Sequence, residues 1–185
     1  MFETRYLNYI FGQWHAFFGL LGGGAPNLIG LMFVAISVGS KMIKKDNLWQ
    51  IHIFITPAIV HLLAVISISA IVMVPWPNLM GPHIALTGLG AAGFGYLVLG
   101  VGPQMGKFIK QRSVAHRERF FNTAAPGVCY ALVLAAGLMI RIDPLHLLNK
   151  ALGLAAIATL LLALISVRLA WVSFLYLVTR EEDVL

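Results

Sequence analysis

The sequence predicts an all-α fold: a polytopic transmembrane bundle of about five spans, N-terminus outside and C-terminus cytoplasmic. Three observations carry this. Of 185 residues, 59% are hydrophobic and only 11% are charged, with a mean hydropathy of +0.87; an ordinary soluble domain carries roughly 25% charged residues. Apolar runs of the roughly 20 residues that a helix needs to cross the hydrocarbon core recur along the chain. Basic residues gather in alternate connections between those runs. Little chain is left for a soluble part, so residues 1–185 read as a single integral membrane domain.

The first span covers about 13–40 and stops at Lys41, Lys44 and Lys45. Before it, MFETRYLNYI holds one acid and one base, and no small-x-small cleavage site follows, so the span reads as retained. Gly19, Gly23 and Gly30 share one side and admit a close neighbour. Pro26 lacks an amide hydrogen, deprives the Gly22 carbonyl of its helical donor and predicts a kink. Asn27 then answers the freed groups or reaches another helix, because bare polar groups are not tolerated in lipid. Two readings stand: a packed, kinked helix, or a broken helix lining a polar cavity, as in many transporters. On the second, Pro26 and Asn27 are candidates for a path or gate.

The second span covers about 50–74 and ends at the Val74-Pro75-Trp76-Pro77 turn. Thr56 as N-cap with Pro57 at the first helical position predicts a helix over 57–74, with Trp49–Ile55 in the interface. The alternative is a helix from about 50 kinked at Pro57, which carries His61 nearly to the bilayer centre. The third span, about 83–105, stops near Pro103 and Lys107, and aligns Gly88, Ala92, Gly95, Gly102 and Gly106 at helical spacing. The fourth, about 121–140, lies between Arg117 and Arg119 on one side and Arg141 on the other. It offers Ala124, Gly127, Ala131 and Ala135 as its small-residue stripe. It also holds the lone Cys129, which excludes an intrachain disulfide.

The fifth span, about 146–168, carries Ala151, Ala155 and Ala158 on one stripe and is interrupted by Arg168. Arg168 is expected to emerge at the cytoplasmic interface and snorkel, followed by an interfacial segment over 169–180. There Trp171, Phe174, Leu175 and Val178 share a face. The alternative is a buried arginine that binds an anion or a neighbouring carbonyl.

Orientation follows from the loops. Lys41, Lys44 and Lys45, then Lys107, Lys110, Arg112, Arg117 and Arg119, and finally Arg180 fall on one side; only Arg5, Arg141 and Lys150 fall on the other. The richer side is cytoplasmic. The net charge of +6 therefore reads as topology and attraction to anionic lipid, with Lys44, Lys45, Lys107, Lys110, Arg168 and Trp171 as interface residues, and not as nucleic-acid binding.

Chemistry is sparse. All seven acids, Glu3, Asp46, Glu118, Asp143, Glu181, Glu182 and Asp183, lie in termini or connections, which weighs against a transporter built on a buried carboxylate. No HExxH, nucleophile elbow, P-loop or dinucleotide glycine pattern occurs, and no catalytic residue is assigned, which weighs against an enzyme without deciding it. His61 is the ionisable group at depth: a path or gate residue, a metal or haem ligand, or a neutral histidine bonded to another helix. His15, His83 and His146 fall near the outer ends of the first, third and fifth spans, a depth that suits a metal or haem b held between facing helices. His52 and His116 belong to the cytoplasmic side as surface residues.

The run Gly30-Leu31-Met32-Phe33-Val34-Ala35, then Thr56-Pro57 with Val60-His61, and later Arg168 with Ala170-Trp171 resembles a group of small bacterial multi-span membrane proteins of uncharacterised activity. The resemblance touches the first, second and fifth spans and implies a bacterial inner-membrane location, with no activity attached. That group tends to place an acid or amide around the last tryptophan, where this chain has Leu169 and Val172. Three functions are compatible with these residues. The preferred one is a small oligomeric channel or transport module. The others are a haem-holding membrane redox protein and a non-catalytic subunit docked on a larger membrane partner through its glycine faces.

Overall fold

A computed structural model of the chain describes residues 2–39, 55–103 and 120–178. Among them every regular element is helical, and five helices are long and apolar enough to cross a membrane. α1 is Phe2–Gly39; α2 is Thr56–Met73; α3 is Met80–Gly95, continued by a wider π-helical segment, Tyr96–Val101. α4 opens with a π-helical segment, Phe120–Ala124, and continues as Ala125–Ile142; α5 is Pro144–Val178. α5 packs against α1, α2 and α4, while α3 lies against α4 and α2.

Several boundaries differ from the sequence reading, each for a local reason. α1 has 38 residues, roughly 57 Å at helical rise, and runs unbroken through Pro26, so it begins well before residue 13. Thr56 is not a cap: Ile55 before it already has helical torsions and no side chain caps the helix, leaving Pro57 in the first turn as foreseen. Residues 51–54, on which the longer alternative depends, lie outside the described residues. α3 begins at Met80, three residues early, because Asn78 Oδ1 accepts the Met80 amide at 3.1 Å. α5 continues through Arg168 as one helix to Val178.

Two connections are built tightly. After Val74 turns extended, as a residue before proline must, the Trp76 indole folds back and donates to the Ile71 carbonyl at 2.7 Å. Its ring then occupies the space where a Cβ on Gly81 would stand. Between α4 and α5, Asp143 accepts the His146 amide at 3.2 Å while Pro144 opens the helix, a side-chain cap with proline at the first position. Replacing Asp143 with alanine is expected to lower stability by about 0.5–2 kcal/mol, read as a drop in the thermal midpoint in detergent.

The packing faces are where sequence and structure part most clearly. The α3–α4 contact does not use Gly88, Ala92 and Gly95: a Cβ on Gly88 or Gly95 would meet nothing within 4 Å, and Ala92 is exposed. It uses Gly90, where a Cβ would stand 2.6 Å from the Leu134 amide nitrogen, and Gly137, where one would stand 2.7 Å from the Thr87 amide nitrogen. On α4, Ala124 and Ala131 face outward, and Cys129, Tyr130, Val133, Ala136 and Ile140 face the core. Likewise, α1 touches α2 through Gly22, against Ser69, and Gly19, against Met73, whereas Gly23 and Gly30 stand open. Only the α5 stripe of Ala151, Ala155 and Ala158 is fully buried as aligned. Gly106 lies outside the described residues.

Candidate functional site

The core of the bundle is apolar apart from six buried polar residues: His61, Ser69, Asn122, Thr159, Ser166 and Ser173, among those described. Three of these are satisfied at home. Thr159, Ser166 and Ser173 recur every seventh residue of α5, and each hydroxyl donates to the carbonyl four residues back, Ala155, Leu162 and Leu169, at 2.6, 2.7 and 2.7 Å. That local bond is the usual answer for a hydroxyl inside a helix. These three therefore present no hydrogen-bonding demand to a neighbour.

The other three differ. His61 on α2 is fully buried, and its Nδ1 lies 2.9 Å from the hydroxyl of Tyr130 on α4, itself 1% exposed. The two rings stand 5.7 Å apart between centroids. A neutral imidazole carries one N–H. If Tyr130 donates to Nδ1, the single group left over is the Nε2–H. If Nδ1 donates instead, both the bare Nε2 and the phenol proton are left over. Since each unmet buried group costs about 1–3 kcal/mol, the first arrangement prevails. His61 Nε2, which has no hydrogen-bond partner among the described residues, is then a buried donor awaiting an acceptor.

Ser69 and Asn122 extend the same pattern. Ser69 follows His61 by eight residues on α2, roughly 12 Å along the helix, and its Oγ has no partner. Asn122 precedes Tyr130 by eight residues on α4, is fully buried and has neither amide atom paired among the described residues; the Thr123 hydroxyl beside it is unpaired there as well. Asn122 and Thr123 lie in the π-helical segment Phe120–Ala124, which faces the π-helical segment Tyr96–Val101 of α3. Such wider turns are enriched at functional sites. Ser69, His61 with Tyr130, and Asn122 thus form three levels of unmet hydrogen-bonding capacity through an otherwise apolar interior.

A glycine positions the middle level. A Cβ on Gly93 of α3 would overlap Cδ1 and Cε1 of the Tyr130 ring. Only a residue without a side chain lets that ring lie flat along α3 and aim its hydroxyl at His61.

The remaining candidates are placed as follows. Pro26 and Asn27 are exposed on the outside of the bundle, and the Asn27 amide donates to the Gly23 carbonyl of its own helix at 3.4 Å; within one chain they line no interior. His15 is exposed. His83 Nδ1 lies 2.9 Å from the Gly137 carbonyl, which only accepts, so that nitrogen carries the proton. His146 pairs with Asp143 at 3.1 Å in the α4–α5 turn. His61 sits roughly 18 Å along α2 from the end where α3 begins, away from His83. Among the described residues, no three His, Cys, Asp or Glu side chains converge.

Arg168 is turned inward: its guanidinium carbon lies 3.9 Å over the Phe121 ring, a cation–π contact with α4. Trp171 is 61% exposed on the surface of α5. Lys44, Lys45, Lys107 and Lys110 lie outside the described residues, as do His52 and His116.

The sequence singled out His61 but missed Tyr130, Ser69, Asn122 and Gly93. The seven-residue spacing of the α5 hydroxyls was legible, and so was the eight-residue spacing of His61 and Ser69. In comparisons with protein families, curated proteins and solved structures, nothing matches the chain.

Proposed function

We infer that the chain is a multi-pass membrane protein whose bundle interior passes a small uncharged polar solute, with His61 and Tyr130 at its narrowest level. The observation that supports this is the unmet Nε2 of His61 in an apolar core. A buried donor without an acceptor is costly, and in a native protein it is a place where a transient partner gains most. Ser69 and Asn122, roughly 12 Å away along their helices, offer the preceding and following partners. The solute is read as uncharged because the described spans hold no carboxylate to pair a cation, and the inward Arg168 guanidinium already lies over the Phe121 ring. The termini lie on opposite sides, with the basic connections cytoplasmic, the membrane being the bacterial inner membrane that the resemblance implies.

The reading is tested in proteoliposomes by stopped-flow light scattering, with water, glycerol and urea as probes. His61→Phe fills the site with an apolar ring and removes the donor, so permeability to the conducted probe should fall about tenfold or more, the equivalent of one lost hydrogen bond. Asn122→Leu should act in the same direction. Equal permeability in parent and both variants, with unchanged reconstitution, would reject the passage.

A second reading has its own observation. Gly88, Ala92, Gly95, Ala124 and Ala131 form small-residue surfaces on α3 and α4 that no described residue covers, as expected of a subunit docking another membrane helix. A stoichiometric partner co-purifying with the parent, and lost on Gly95→Leu, would favour it.

A further inference from the structure

We propose that the outward face of α1 is the seam of a parallel, two-fold dimer, in which Asn27 of one copy hydrogen-bonds to Asn27 of the other. α1 lies at the edge of the bundle. One side of it, Phe18, Ala25 and Met32 at seven-residue spacing, is buried against the other helices. On the opposite side Ala16, Leu20, Gly23, Asn27, Gly30 and Val34 are all exposed, and their spacings run four, three, four, three, four. That is the repeat with which one helix packs along another at a small left-handed crossing. A Cβ on Gly23 or Gly30 would meet nothing within 4 Å, so the backbone on either side of Asn27 is open to close approach.

Asn27 decides what covers this face. It stands ten residues before Ser37, the end of the apolar span Tyr9–Ser37. That is roughly 15 Å along the helix, midway through a hydrocarbon core about 30 Å thick. Its amide nitrogen reaches the Gly23 carbonyl at 3.4 Å, a long bond, and its Oδ1 accepts nothing from the described residues. Lipid chains offer no donor at that depth. The stretches 40–54, 104–119 and 179–185 of this chain each carry charges, which disfavours them there. A second copy brings the right group to the right place. Copies inserted with the same orientation are related by a two-fold axis, along which each seam residue meets itself, so the two Asn27 amides lie at one depth. A carboxamide both donates and accepts, and two facing amides exchange N–H···O bonds. An asparagine on such a seam also fixes register and oligomeric state. This inference rests on the membrane reading but not on the passage through His61, which each copy keeps within its own bundle.

Cross-linking locates the seam. In a Cys129→Ala background, single cysteines are placed on it by Leu20→Cys or Val34→Cys, and beside it by Leu31→Cys or Phe33→Cys. The reconstituted proteins are then oxidised with copper phenanthroline. Covalent homodimers are expected from positions 20 and 34 at several times the yield from 31 and 33; an equal or reversed yield overturns the seam. Energy transfer between donor-tagged and acceptor-tagged copies, in vesicles of rising lipid-to-protein ratio, tests Asn27 with Cys129 intact. Asn27→Leu should raise the protein density needed for half-association about five- to thirtyfold, the worth of one interhelical hydrogen bond in lipid. Asn27→Gln, which keeps the amide, should stay close to the parent. No energy transfer in the parent at any density, or Asn27→Leu associating as the parent does, refutes the proposal even where the Cys129 replacement does not fold. Cross-links from 20 and 34 to a different protein in native membranes, in place of homodimers, also refute it. Failure of the parent to enter vesicles at all would refute the membrane reading, and His61→Phe leaving permeability unchanged would refute the passage alone.

Discussion

Gly90→Ala is expected to destabilise the protein by about 1–3 kcal/mol or more, whereas Gly88→Ala, two residues away, is expected to leave it unchanged or slightly more stable. A Cβ at 90 would stand 2.6 Å from the Leu134 amide nitrogen and 2.8 Å from its Cα. Those are backbone atoms of a packed helix, so no rotamer change relieves the contact and α3 must move bodily away from α4. At 88 the same Cβ meets nothing within 4 Å, and alanine is the better helix former by roughly 1 kcal/mol. Gly137→Ala belongs with Gly90, because its Cβ would stand 2.7 Å from the Thr87 amide nitrogen. Thermal unfolding of the three variants in one detergent measures the order. At about 2–4 °C per kcal/mol for a chain of this size, Gly90→Ala and Gly137→Ala should melt several degrees below Gly88→Ala. The reverse order would mean that the helices meet through the Gly88–Ala92–Gly95 face.

Gly93→Ala is expected to disable the His61–Tyr130 pair without touching either residue. The added carbon overlaps the phenol ring, so the ring must swing and its hydroxyl leaves His61 Nδ1, now 2.9 Å away. Tyr130→Phe loses the same bond while keeping the ring, and should cost about 1–3 kcal/mol because Nδ1 joins Nε2 as an unmet buried group. A double-mutant cycle separates the ring clash from a general effect on α3. In a Tyr130→Ala background the space beside residue 93 is free, so Gly93→Ala should cost less than in the parent, with a coupling of about 0.5–3 kcal/mol. Strict additivity would show that Gly93 does not act through Tyr130. Where the passage operates, Tyr130→Phe and Gly93→Ala should both reduce permeability, as His61→Phe does.

The number and approximate placement of the long apolar helices were legible because each is a continuous run whose composition alone identifies it. The ends were less so. Asn78 accepting the Met80 amide and Asp143 accepting the His146 amide act through single side-chain bonds, and hydropathy does not register such bonds. The candidate site was half legible. His61 stood out as an ionisable group in an apolar run, but its partner did not, because Tyr130 lies 69 residues away and tyrosine is ordinary in a membrane helix. Asn122 lies at the edge of the fourth apolar run, and the π-helical turn that buries it has no compositional mark. Pro26 and Asn27 attracted attention as breaks in α1, yet they face out of the bundle.

By itself the sequence determined that this chain forms long apolar helices, in what order, and that few groups along them can do chemistry. Composition decides those properties, since each helix closes its own backbone hydrogen bonds whatever lies beside it. Which face of each helix turns inward was decided only by the tertiary structure. Glycine and alanine occur on both sides of α3 and α4, and a helix in lipid has no hydrophobic contrast to point one side toward the core. Only the fit between particular surfaces, Gly90 on Leu134, Gly137 on Thr87 and Gly93 under the Tyr130 ring, selects the inward face, and with it the atoms that His61 meets.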